Sequence, residues 1–144
     1  VNGTPAPAEA TLHAYQRLKS QRHFKRVYQR GRRAGGQWMT LVACFGRPPL
    51  RYEEVKAPAG RTTARLGLSV SKDHGGAVRR NKLKRLLREA FRLEQHRLPT
   101  DLDLVIIPRQ RDEDFPLQAL REELMQLLQR IQQQPAGDRR KPRR

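Results

Sequence analysis

Residues 65–92 read RLGLSVSKDHGGAVRRNKLKRLLREAFR, and a change of period inside this stretch decides the fold. In the first seven residues Leu66, Leu68 and Val70 alternate with Arg65, Gly67, Ser69 and Ser71. That period of two predicts a strand with one face toward a core and the other small and polar. From Ala77 the spacing lengthens. At roughly 100° per residue, Leu83, Leu86, Leu87 and Ala90 gather within about 100° of arc, with Phe91 at the margin. Lys84, Arg85, Arg88 and Arg92 fall on the opposite half, with Asn81 among them. The strand is therefore followed by an amphipathic helix, buried on one side and cationic on the other.

A charged helix face is ordinarily a solvated surface and nothing more. Between Ala77 and Phe91, however, Glu89 is the single acid, set against Arg79, Arg80, Lys82, Lys84, Arg85 and Arg88. Helices that merely solvate themselves mix signs at i, i+4, and this one does not. Asn81 adds a donor and an acceptor within the basic face. The pattern predicts a helix docked along the phosphates of RNA or DNA.

The rest of the chain agrees. Its 144 residues suit one domain with tails, and a net charge of +17 at pH 7 exceeds what solubility requires. The 31 basic residues comprise 24 Arg and 7 Lys, and the planar guanidinium fork suits phosphates and stacks on bases. Nucleic acid is thus a better partner than a membrane surface. No apolar run approaches the roughly 20 residues that span a bilayer, and VNGTPAPAEA has no apolar signal region, so a cytoplasmic location is expected. One cysteine, Cys44, excludes an internal disulfide and reads as a core thiol, and the four His show no metal-ligand spacing.

Composition sets the boundaries. Residues 1–11 and the basic residues 135–144 lack periodicity and are expected to be disordered tails around a single domain at 12–134. Residues 46–63, with two proline-containing turns, read as a long connection. In SQRHFKRVYQRG, Ser20 is a candidate N-cap, Phe24, Val27 and Tyr28 stand at i, i+3, i+4, and Gly31 is a stop. QWMTLVACF predicts a strand with Trp38, Thr40, Val42 and Cys44 on one face and Met39, Leu41, Ala43 and Phe45 on the other. LDLVIIP predicts an interior strand, and DEDFPLQALREELMQLLQRI a helix with Leu117, Leu120, Leu124, Leu127, Leu128 and Ile131 on one face. Period alone gives helix, strand, strand, helix, strand, helix.

Residues 65–92 closely resemble the signature of the bacterial ribonuclease P protein subunit: a strand ending in Ser-Lys, then Gly, Ala-Val, and an Arg-Asn-Arg element continuing as Lys-Arg and Arg-Glu. RLKSQRHFKRVYQRG resembles the family's opening helix, and DLVIIPRQ and the Leu-rich helix follow in the expected order. The resemblance covers about Arg17 to Ile131. It implies an α+β fold, a small four-stranded sheet packed with three helices in a ribosomal protein S5 domain 2-like arrangement with a left-handed βαβ crossover. It also implies a short extra strand near RRAGG, which period does not reveal.

The resemblance further implies a function. The family's partner is a catalytic RNA that removes the 5′ leader from precursor tRNA, with magnesium bound mainly by that RNA; no membrane or small-molecule substrate is involved. Carried over residue by residue, Arg80, Asn81, Lys82, Lys84, Arg85 and Arg88 would contact the catalytic RNA. Phe24 and Tyr28 on the opening helix, with Arg65, Ser69, Ser71 and Lys72, would line a cleft for the leader, where base stacking suits the aromatics. Phe24 reads equally as core, and Arg65 as a side chain snorkelling to solvent. Trp38 reads as packing. Three departures stand out: Lys82 replaces an Arg, Asp73 replaces a second Lys, and HGGAV lacks the usual polar or basic residue before Ala.

No paired carboxylates, His cluster or activated nucleophile supports a self-sufficient protein nuclease. A structural ribosomal RNA-binding protein is the main alternative, since it would share the charge and the basic helix. A DNA-binding regulator is less apt, because the basic helix is flanked by strands and has no neighbouring helix-turn partner.

Overall fold

The computed structural model describes residues 12–51 and 60–134; the predicted disordered tails and the middle of the 46–63 connection lie outside the described residues. In chain order the elements are α1 (Gln21–Arg30), β1 (Arg32–Gly35), β2 (Met39–Cys44), β3 (Arg65–Leu68), α2 (Ala77–Glu94), β4 (Asp103–Pro108) and α3 (Leu117–Gln132). The strands form one sheet in the order β1-β2-β4-β3. β2 pairs antiparallel with both β1 and β4, and β3 lies parallel beside β4. Parallel neighbours require a crossover, and α2 supplies it.

This is the mixed four-stranded sheet with three helices that the resemblance implies. β1 occupies the RRAG stretch and is the element that period misses, because Arg32, Arg33, Ala34 and Gly35 carry no apolar alternation. It is recruited by pairing with β2 instead. The strand predicted through Ser71 stops at Leu68. The Ser69 amide still donates to the Ile106 carbonyl at 3.0 Å, and the chain then turns where Ser71 accepts a hydrogen bond from the Asp73 amide. α1 begins and ends as its sequence predicts: Ser20 accepts from the His23 amide and Gly31 is the C-cap.

The two faces of the sheet differ. Met39, Leu41, Ala43, Leu66, Leu104 and Ile106 point into the main core, closed by Leu83, Leu87 and Phe91 of α2 and by Leu120, Leu124, Leu127, Leu128 and Ile131 of α3. Val42, Cys44 and Val105 face the other way and form a smaller cluster with Val27 of α1 and Leu18. α1 covers only part of that second face. Cys44 is a buried free thiol, as expected, and burial raises its pKa.

Glu123 of α3 fixes the β1–β2 turn. Its carboxylate accepts from the backbone amides of Gln37, Trp38 and Met39 at 2.8, 2.7 and 2.8 Å. The carboxylate lies so close that a Cβ on Gly36 would come within 2.4 Å of its Cδ, which is why glycine stands there. Trp38 packs on Phe115 with ring centroids 5.4 Å apart, and the Arg111 guanidinium covers its ring at 4.4 Å.

Candidate nucleic-acid interface

The six residues proposed on α2 divide into three groups. Asn81 and Arg85 are exposed and Lys84 is half-exposed, and none of these has a hydrogen-bond or ionic partner among the described residues. Arg88 is half-buried, and its guanidinium is held below the ordinary arginine value by burial and then by the neighbouring charge of Arg17. These four form the central strip of the helix. Arg80 lies to one side, where its Nε donates to the Gly75 carbonyl at 3.2 Å and steadies the start of the helix. Lys82 lies to the other side and lines an apolar groove with Ala77, Val78, Leu83, Leu86 and Phe115. Arg79 closes that groove by donating to the carbonyls of Arg111 and Asp112 at 2.9 and 3.1 Å. Arg92, placed on the basic half by period, binds Glu89 through two hydrogen bonds of 2.9 and 2.6 Å.

The cleft residues sit on the second face of the sheet. Phe24 lies over Gly67 of β3, where a Cβ would approach the ring to 2.7 Å, so the glycine lets α1 close on the sheet. Phe24 is half-buried and packs against the small cluster. Tyr28, one turn later, is 38% exposed, and the two ring centroids are 6.4 Å apart. Ser69 is half-exposed at the end of β3, with Ser71 and Lys72 exposed beyond it.

Strand register adds residues that the sequence reading did not select. Arg33 pairs with Val42, Gly35 with Thr40, and Thr40 with Ile107, so Arg33, Thr40 and Ile107 share the face of Gly67 and Ser69. Arg109 continues the same alternation, and its Nε donates to the Gly36 carbonyl, placing its guanidinium over Gly35. Pairing partners drawn from four strands are needed to find these, and no local spacing points to them.

Arg65 stands apart from the other cleft residues. It neither reaches outward nor snorkels: Nε and Nη2 bind the two Asp103 oxygens at 3.0 and 2.8 Å. Asp103 is 1% exposed and also holds Arg47 Nε at 2.8 Å and Arg26 Nη1 at 3.5 Å. Arg47 in turn binds the carbonyls of Thr63 and Thr100 at 2.6 and 2.8 Å, which pins both ends of the long connection. One carboxylate thus gathers three guanidiniums, one of them from the middle of α1, leaving a local excess of positive charge. His23 on α1 has its pKa lowered, by burial first and then by Arg65, with Asp103 opposing.

The family model for Ribonuclease P matches residues 12–132. The chain is 35% identical over 119 residues to the Ribonuclease P protein component of Brevibacillus brevis, covering 83% of this chain and 85% of that one. It is 38% identical over 123 residues to that of Yersinia enterocolitica, covering 84% and 92%. Among solved structures it resembles the RNase P protein from Thermotoga maritima with a TM-score of 0.62 and 30% identity, covering 80% of this chain and 96% of that one.

Proposed function

The chain belongs to the ribonuclease P protein family, and on that premise we propose that α2 docks on the catalytic RNA while the open half of the sheet receives the 5′ leader of precursor tRNA. The observation that carries the reading is the central strip of α2, where Asn81, Lys84 and Arg85 have no partner among the described residues while Arg79, Arg80 and Arg92 are engaged. Unpartnered cations along one helix face can neutralise phosphates and release their counterions. The leader follows the second face, where Tyr28 offers a ring for stacking and Thr40, Ser69 and Lys72 offer polar groups.

Chemistry belongs to the RNA in this scheme. The buried carboxylates Asp103, Glu94 and Glu123 are each taken by arginines or backbone amides, so none is offered to a metal ion or an attacking water. The proposal leaves magnesium to the RNA. The protein acts by position and charge, relieving repulsion between two polyanions where they meet. The proposal places it in the cytoplasm with its RNAs. Separately, no helix among the described residues is long and apolar enough to cross a membrane. The family match gives the ribosomal alternative no support.

The test is the paired substitution Lys84→Ala and Arg85→Ala. Affinity for the catalytic RNA should fall and its dependence on salt should become shallower by about 0.9 per lost phosphate contact, with the unfolding curve unchanged. Unchanged affinity at every salt concentration would refute docking through α2.

A further inference from the structure

The leader cleft and the central strip of α2 leave one exposed apolar surface unused. Among the described residues two large apolar side chains are exposed, Tyr28 at 38% in the cleft and Val78 at 85% on the first turn of α2. Val78, Lys82 and Leu86 stand at i, i+4, i+8, which places them along one flank of the helix. Together with Leu83 and Phe115 they line an open groove of about 790 Å³ between α2 and the segment that leads into α3. That size falls in the roughly 300 to 1,000 Å³ range of small-molecule sites.

Hydrogen bonds and ring packing preform the groove. Arg79 donates to the carbonyls of Arg111 and Asp112, which fastens the far wall to α2. Phe115, in that wall, is 7% exposed and packs on Trp38. Its ring centroid also lies 6.4 Å from that of His74, whose Nε2 hydrogen-bonds to the Pro108 carbonyl at 3.2 Å. A groove held in this way needs little ordering on binding. Its rim is cationic: Arg79 and Lys82 line it with one acid, Asp114, and Lys82 is exposed without a partner among the described residues. Arg85 of the central strip lies three residues beyond Lys82, so groove and strip share an edge of the helix.

An apolar floor beside a cationic rim fits an unpaired nucleotide, whose base has flat apolar faces and whose phosphate is anionic. A second copy of this chain would bring its own charge of +17 against the same rim, and an uncharged apolar partner would leave Lys82 without a counter-charge. We propose that the groove receives one unstacked nucleobase of the catalytic RNA, its face against Val78 and Leu86 and its phosphate at Lys82. This rests on the docking of α2 proposed above and adds to it a contact that is apolar instead of ionic. It also gives Lys82, which stands off the central strip, a phosphate of its own.

The test measures catalytic-RNA affinity against salt for Val78→Ala and Lys82→Gln, with the pair Lys84→Ala and Arg85→Ala as the reference for docking. Val78→Ala should weaken binding about five- to tenfold, the share of two methyl groups taken partly out of water. Its salt dependence should stay that of the unaltered chain, because an apolar contact displaces no counterion, whereas Lys82→Gln should make it shallower by about one contact. Val78 is exposed, so the unfolding midpoint of Val78→Ala should not move. A second readout is direct: with methyl-labelled Val and Leu in the full chain, the Val78 and Leu86 methyl resonances should shift upfield when the catalytic RNA binds, as methyls under an aromatic ring do. Where the two readouts differ, the methyl shifts decide. Unmoved methyls beside a weakened reference pair would overturn the base site and leave docking intact, and no effect from any variant would overturn both. A concentration-dependent dimer of the free chain that Val78→Ala dissolves would assign the groove to a second copy and overturn the proposal as well.

Discussion

Around Asp103, arginines from α1, the long connection and β3 converge on one carboxylate that is 1% exposed, whereas along the middle of α2 Asn81, Lys84 and Arg85 meet no acid of the described chain. Both regions look alike in a tally of charge. Physically they are opposites: the first uses cations to hold α1, the connection and the sheet together, and the second leaves them facing solvent. Net charge therefore overstates the cations available to a partner, which are those the fold does not consume.

The most severe way to break this comparison is Asp103→Asn. It strands three guanidiniums, one of them 4% exposed, around a neutral amide, and the loss of a buried ionic partner costs about 3 to 5 kcal/mol. Chemical denaturation should show that loss, and a change below about 1 kcal/mol would mean that solvent already screens the cluster. Leu87→Ala comes next. Leu87 is fully buried on the core side of α2, so a cavity should lower stability by about 2 to 5 kcal/mol, measured the same way. A negligible change would show that the two faces of α2 had been exchanged.

How far each region is legible in the sequence follows from the distance between the partners. The two faces of α2 are set by residues three and four apart, so Leu83, Leu87 and Phe91 on the buried side and Asn81, Lys84 and Arg85 on the open side can be read from period alone. The Asp103 cluster cannot. Its partners lie 77, 56 and 38 residues away, and nothing local marks Asp103 among the acids or Arg47 within a proline-rich connection. The same holds for β1 and for Arg33, Thr40 and Arg109, whose place on the cleft face is fixed only by strand register. The assignment of Arg65 to the leader illustrates the cost: its face was read from alternation, but its occupation by Asp103 depends on β4.

A smaller effect separates the cleft from the basic helix. Tyr28→Ala removes the exposed ring while Phe24 keeps its packing over Gly67. Preference for precursor over mature tRNA should fall by about 1 to 3 kcal/mol, the worth of one stacked base, with catalytic-RNA affinity and unfolding unchanged. Equal loss for both tRNAs would place Tyr28 outside the leader path.

The smallest expected effect concerns Glu94, where a carboxylate ties α2 to α3 at the far end from the cleft. Burial pushes its pKa up, but hydrogen bonds from Arg121 and Arg97, at 2.8 and 2.9 Å, prevail and hold it below the ordinary value of about 4.5. The folded state thus favours the ionised form. The resulting stability is fully present above the ordinary carboxylate value and is lost as pH falls through the lower folded value. Because both arginines are partly exposed, Glu94→Gln should cost only on the order of 1 kcal/mol near neutrality. The gap between the original chain and the variant should narrow as pH drops below about 4.5, and denaturation curves for both across that range measure it. A gap that stays constant with pH would assign the contribution of Glu94 to packing between the helices instead of to its charge.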